Sequence, residues 1–426
     1  MQERLLHFIW QNLLFNTIDL KSVDDEAIQI IRKGTLNTHA GPDFTNAKIK
    51  INETIWAGNV EIHLRSGDWL QHGHTSDVNY DNTILHVCWE YDQPIYRTDG
   101  SRISCLTLRD ITDNDLLHKY RQLMESANDI PCSKRLYLID DTTWFLWQER
   151  LLVERLEQKT SPIFDALEKT KYDWQEVFYG FIARNFGLKI NTQPFENLAH
   201  NLPLKIISKH KESLKQIEAL VFGVAGFLNG TFNDDYCIRL QKEYRFLQKK
   251  YRLNEVDKSN WKFLRLMPAN FPTLRLAQFA ALIHNSTNLF SKLITNTNLH
   301  EIEKLLNSSP SEYWKTHYVF DNASPTRNKS LGSTTIQNII INSVVPFKFA
   351  YGKHKDDEIL QQNALDLLEK SKAESNSIIN KWTELGIISK NSFQTQALLQ
   401  LKNEYCNRKL CLDCNIGYKL LKNETA

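Results

Sequence analysis

The chain has 426 residues, 42 % hydrophobic and 24 % charged, with 10 Trp, 15 Tyr and 21 Phe. That length and mixture imply sizeable cores and two or three domains. A formal net charge of only +2 excludes whole-molecule attraction to nucleic acid, so any such binding needs a local basic patch.

Residues 2–15 carry Leu5, Leu6, Ile9, Leu13 and Leu14 at helical spacing, which predicts an amphipathic helix. This opening stretch mixes charged and apolar residues without the order of a signal peptide. No run of eighteen apolar residues follows, and the seven cysteines do not form an evenly spaced disulfide framework. A cytoplasmic address and no membrane span are therefore expected. Alternation and β-branching then predict strands at 28–34, 47–51, 54–64, 83–91 and 102–108. Asn52-Glu53 between the second and third has the length of a tight hairpin turn. The run DWLQHGHTSDVNYDN (68–82) reads as a loop.

From Asp140 the period changes to 3.6. DDTTWFLWQERLLVERLEQK opens on polar cap residues, and DWQEVFYGFIARNFG has Asp173 as a cap, Glu176 three positions on and Gly187 at its end. Further helices are expected near 211–229, 235–252, 274–287, 355–385 and 391–405, with Pro268 and Pro272 punctuating a turn. The fold class is α+β over residues 1–130, a helix plus a mixed sheet, followed by a larger all-α domain over 131–426 that ends in a cysteine cluster.

The segment NTHAGPDFTNAKIKINETIWAGNVEIHLRSGDW concentrates the chemistry. Gly41-Pro42 is a turn signal that delivers Asp43 to the mouth of a strand. Glu61 lies in the partner strand, where alternation puts Glu61, His63 and Arg65 on one face and Val60, Ile62 and Leu64 on the other. Two carboxylates brought together across a hairpin repel unless a cation sits between them. A hard ion such as Mg²⁺ answers that, and it can activate water beside a phosphodiester.

Here the sequence resembles the PD-(D/E)XK nuclease superfamily. Pro42-Asp43 looks like its PD element and Glu61-Ile62-His63 like its (D/E)XK element, within a similar helix, strand, hairpin and strand order over residues 1–110. The resemblance implies that Asp43, Glu61 and the Ile62 carbonyl hold Mg²⁺ or Mn²⁺. His63, standing where the family has lysine, would orient or deprotonate water, and Arg65 would stabilise the charged transition state. More broadly, GPDF, GNVEIH, DWLQHGH, the Pro-Ala-Asn-Phe-Pro turn and a cysteine-bearing tail resemble an uncharacterised bacterial family of unknown function. That resemblance covers nearly the whole chain and brings no established activity.

Five of the thirteen histidines, His39, His63, His72, His74 and His86, fall in this region. They are candidate ligands for a softer ion such as Zn²⁺ or Mn²⁺. Cys406, Cys411 and Cys414 give C-x4-C-x2-C in the last twenty-one residues, a spacing that suits metal ligation in a reducing compartment. Cys132, beside Pro131, is the expected fourth ligand of a Zn²⁺ or [4Fe–4S] site. The nuclease resemblance adds a precedent, since some members carry an iron–sulfur staple. Cys88, Cys105 and Cys237 read as core.

Between Arg239 and Arg265 nine basic residues meet three acidic ones with aromatics interleaved. Lys249, Lys250, Arg252, Trp261 and Lys262 are the candidate nucleic-acid contacts, with the cations on phosphate and the indole on a base. An aromatic core face behind a solvated basic face is the competing reading. The leading expectation is a metal-dependent nuclease-like hydrolase. The alternatives are a catalytically decayed protein that binds nucleic acid or a partner, and a histidine-ligated zinc hydrolase.

Overall fold

The computed structural model describes residues 2–422; residue 1 and residues 423–426, the last of the expected second domain, lie outside the described residues. Helix α1 (Glu3–Asn12) buries Leu5, Leu6 and Ile9 and stops where Leu13 turns left-handed at φ 49°. Its Glu3 and His7, one turn apart, keep to the polar edge.

A mixed seven-stranded sheet follows in the order β1-β2-β4-β5-β6-β7, with β3 also on β4. Its strands are β1 (Leu20–Lys21), β2 (Ala27–Arg32), β3 (Thr35–Leu36), β4 (Phe44–Ile51), β5 (Thr54–Arg65), β6 (Thr83–Glu90) and β7 (Cys105–Thr107). The pairs β1–β2, β2–β4, β3–β4 and β4–β5 are antiparallel, while β5–β6 and β6–β7 are parallel. The expected hairpin is present: Ile51 faces Thr54, and Asn52 adopts φ 50° at its tip. The Asn52 Oδ1 also takes the Ala27 N–H at 3.0 Å, tying the tip to β2.

Leu5, Leu6 and Ile9 of α1 pack with Val60, Ile62, Leu85 and Val87 in one buried cluster. The predicted apolar face of β5 is thus the face that meets the core. The parallel step from β5 to β6 is carried by α2 (Asp68–Gln71) and two short 3₁₀ turns, where a plain loop was expected. Helix α3 (Asn114–Glu125) and the long α4 (Asp141–Lys169) come next.

The chain divides into two compact units, Met1–Trp147 with Lys402–Ala426, and Gln148–Leu401. The division therefore falls inside α4 and not at 130/131, and the first unit is discontinuous in sequence. The second unit is built mainly of helices, including α5 (Trp174–Phe186), around a core with Phe186, Phe195, Phe222, Phe279, Trp314 and Phe347. It also holds a two-stranded ladder, β8 (His317–Val319) with β9 (Asn322–Ala323), so the all-α expectation is corrected in that detail.

The single helix expected at 355–385 is also broken. Asp356 turns left-handed at φ 55°, and Asp357 and then Asn376 cap fresh helices. Short polar side chains that capture backbone N–H groups favour such breaks over continuation. Among the described residues no helix is long and apolar enough to cross a membrane.

Candidate active site

The β4–β5 register pairs Phe44 with Val60, which sets Asp43 opposite Glu61. Each carboxylate takes a backbone N–H from the other strand. Asp43 Oδ2 accepts from Ile62 N at 3.0 Å, and Glu61 Oε2 accepts from Asp43 N at 2.9 Å. The predicted pair is therefore brought together. Burial, and then the charge of Asp43, push the Glu61 carboxyl up from its ordinary value.

The other Glu61 oxygen, Oε1, faces imidazoles: His74 Nε2 at 3.4 Å and His63 Nε2 at 3.6 Å. One nitrogen from each of His63, His72 and His74 lies within 4.8 Å of the other two. Behind them the rings continue inward as a chain. His72 Nδ1 is 3.0 Å from His63 Nε2, His63 Nδ1 is 2.8 Å from His86 Nε2, and His86 Nδ1 is 3.7 Å from Cys105 Sγ. Cys105 in turn touches Cys88, sulfur to sulfur, at 3.4 Å. His72 is exposed, whereas His63 and His86 are buried. Burial, then the charges of neighbouring histidines, lower the His63 pKa to about 3, and the same causes lower His86. Both rings are neutral at physiological pH, the state in which imidazole ligates metals.

Local sequence explains this convergence. Ser66 Oγ donates to Asp92 Oδ1 at 2.8 Å, and Gly67 N donates to the same oxygen at 2.7 Å. The turn after β5 is thereby riveted to the end of β6. Gly73 adopts φ 76° between His72 and His74, a conformation that favours glycine. The two rings then meet with centroids 5.5 Å apart. Buried Trp69 meets His74 edge-on at 5.2 Å and donates its indole N–H to Thr75 Oγ1 at 3.1 Å, while Tyr80 stacks on His74 at 3.7 Å.

Two residues of the site lie on α1 and have no local motif. His7 Nε2 is 3.1 Å from Asp43 Oδ2, and the His7 ring also hydrogen-bonds the Ile62 backbone. Burial lowers the His7 pKa, but Asp43, Glu3 and the Ile62 bond outweigh it and the net shift is upward. His7 thus stands against the groups that the resemblance assigns to a metal ion, Asp43 and the Ile62 backbone. The available signal was the Glu3–His7 pair one turn apart on the polar side of an amphipathic helix.

Two predicted members stand apart. Arg65 is exposed at the end of β5 opposite Glu90; its charge acts on Asp92. His39 is exposed, on a turn where its N–H goes to Asn37 Oδ1 at 2.9 Å.

The basic stretch in the second unit takes its competing form. Trp261 is buried and donates its indole N–H to Ala225 O at 2.9 Å. It packs edge-on against Phe195, so it is unavailable for stacking on a base, and that assignment is withdrawn. Lys249, Lys250, Arg252 and Lys262 are exposed. Elsewhere in that unit a cavity of about 270 Å³ opens among Phe178, Tyr179, Phe279 and Phe290. Its acidic lining has helix-end duties: Asp173 caps α5 at Glu176 N, and Glu176 accepts from Leu204 N.

Fold and cluster together define an α+β protein with a histidine–carboxylate site on a mixed sheet. The chain belongs to the protein family of unknown function DUF2851, which it matches over residues 3–377. No curated protein and no solved structure matches the chain.

Proposed function

We propose that the first unit is a metal-dependent hydrolase of phosphodiesters, with a centre made of His63, His72, His74 and Glu61. The observation that carries this reading is the convergence of three imidazole nitrogens within 4.8 Å of one another, with Glu61 Oε1 3.4–3.6 Å from two of them. Nitrogen-rich donors suit Zn²⁺ or Mn²⁺ better than Mg²⁺, which prefers an oxygen shell. His7 already engages Asp43 and the Ile62 backbone, which argues further against a hard ion at those oxygens.

A bound ion would lower the pKa of a water and offset charge developing on a phosphoryl oxygen. His86 would fix the tautomer and tilt of His63 through the 2.8 Å contact. Glu61 Oε1, 3.4–3.6 Å from two of the imidazoles, would hold the ion as a carboxylate, and His7, 3.1 Å from Asp43 Oδ2, would offer a cation beside the reacting group when protonated. The choice of substrate rests on the PD-(D/E)XK-like order of helix, antiparallel hairpin and parallel strand around Asp43 and Glu61. The exposed Lys249, Lys250, Arg252 and Lys262 are candidate phosphate contacts under the same reading.

The test is hydrolysis of bis(p-nitrophenyl) phosphate and of single- and double-stranded DNA and RNA, with Zn²⁺, Mn²⁺ or Mg²⁺ added. Turnover with Zn²⁺ or Mn²⁺ that disappears in Glu61→Gln supports the reading. Turnover that persists in that variant, or none with any metal, overturns it.

A second reading, a catalytically silent binding protein, is favoured by one observation. Asp43 and Glu61 each spend a carboxylate oxygen on a backbone N–H, as residues that lock a hairpin do. Metal binding without hydrolysis of any of those substrates is its signature.

A further inference from the structure

Four of the seven cysteines, drawn from two stretches far apart in sequence, gather in the first unit. Cys132 follows α3, and Cys406, Cys411 and Cys414 come from the returning segment. The contacts that hold this segment are numerous. Asn415–Lys422 packs on α3, Lys409 Nζ donates to Met124 O, and Arg4 pairs with Asp413. Cys411 and Cys132 meet in the same core cluster, and Cys132, Cys414 and Cys411 lie near enough to Cys406 to act on its ionisation.

The loop that carries two of these thiols is wound tightly. A Cβ on Gly417 would come within 2.0 Å of Cys411 O, so only glycine closes the turn that brings Cys411 and Cys414 together. Cations stand near these thiols. Lys402, itself buried, acts on Cys406, and Lys409 acts on Cys411.

We propose that Cys132, Cys406, Cys411 and Cys414 together bind one thiophilic metal centre, a zinc ion or an iron–sulfur cluster, that fastens Lys402–Lys422 to the rest of the first unit. Each thiol releases its proton to solvent as its metal–sulfur bond forms. Four thiolates around Zn²⁺ leave a net charge of about −2, which Lys402 and Lys409 offset. Among the described residues no three of these sulfurs lie within 4.8 Å of one another. A single zinc ion, with Zn–S of about 2.3 Å, would draw them closer.

The experiment uses the full chain purified without oxygen, with zinc, iron and acid-labile sulfide counted per chain and thiols titrated in the native and the denatured states. The expected result is either iron with sulfide and visible absorption, or about one zinc beyond any that the histidine cluster holds, together with four thiols that become reactive on chelation, apart from the buried core thiols Cys88, Cys105 and Cys237, which react on denaturation. Cys414→Ser and Cys132→Ser should lose that metal, while Cys237→Ser, in the second unit, and His74→Ala, in the histidine cluster, should keep it. Should the cysteine variants fail to fold, the wild-type metal and thiol counts decide alone. Wild-type protein without zinc or iron after growth with both, or metal that follows His74 and ignores Cys132 and Cys414, overturns the proposal. The second of those results would leave the hydrolase reading standing.

Discussion

Asp43 and Glu61 hold each other's strands: the carboxylate of Glu61 takes the Asp43 N–H, and that of Asp43 takes the N–H of Ile62, the residue after Glu61. This reciprocal latch separates structural from chemical effects of substitution. Asp43→Ala removes the acceptor of a part-buried N–H and should cost about 1–3 kcal/mol of stability in urea titration. Glu61→Gln keeps an oxygen for the Asp43 N–H and should stay within about 1 kcal/mol of wild type while abolishing hydrolysis. Equal stability losses in the two variants would refute this division.

His86 is a positioning residue in the proposed centre, reaching it only through His63. His86→Ala should weaken Zn²⁺ or Mn²⁺ binding by roughly 10–100-fold, as loss of an outer partner does. Isothermal titration of the metal-free protein measures this. An unchanged Kd would mean that the imidazole chain is core packing only.

The second unit carries a pH dependence of its own. Burial pushes the Glu218 carboxyl up to about 7, although Ser311 and Tyr236 partly oppose this with hydrogen bonds. The folded state therefore keeps a proton that the unfolded chain releases above its ordinary value of 4.5. This contribution to stability is full below pH 4.5 and is lost as pH rises toward 7. Its size is roughly 3 kcal/mol at most. Glu218→Gln should flatten that slope, as read by urea unfolding at pH 5 and pH 8; parallel slopes in variant and wild type would exclude Glu218 as the source.

Trp261 and the exposed lysines now predict opposite behaviour. Trp261→Ala should cost about 3–5 kcal/mol of stability in the second unit, the usual penalty for emptying a large aromatic site. It should leave any affinity for single-stranded nucleic acid unchanged at temperatures where the variant is folded. Lys249→Ala with Lys250→Ala should do the reverse, lowering salt-dependent binding at constant melting temperature. Fluorescence anisotropy across a salt series, beside thermal melts, separates the two.

What the sequence made legible follows from the range of each interaction. β4 alternates in burial over Ala47–Ile51, and β5 alternates apolar and polar residues over Val60–Arg65, so the hairpin and the meeting of Asp43 with Glu61 could be read directly. β1 and β3 are two residues long and leave no periodic trace. His7 was missed because its contact with Asp43 is a tertiary one between α1 and the turn that leads into β4, with no spacing rule to connect them. The polar run 68–82 was read as a plain loop because α2 has only four residues. Trp261 was misplaced since aromatics at helical spacing among lysines fit a binding face and a core face equally, and burial alone decides. The helical break at Asp356 was hidden because Asp-Asp is tolerated on a solvated helix surface as readily as at a cap.

The discontinuity of the first unit has a consequence during synthesis. Its sheet leaves the ribosome early, yet the segment from Lys402 emerges only after the whole of Gln148–Leu401. At roughly 5–20 residues per second the nascent sheet waits for tens of seconds with its α3 surface uncovered. The second unit is thus synthesised as an insertion within an unfinished neighbour. Chains stalled before Lys402 should therefore be captured by chaperones through the first unit, and a release of that hold should coincide with the arrival of the cysteine-bearing segment.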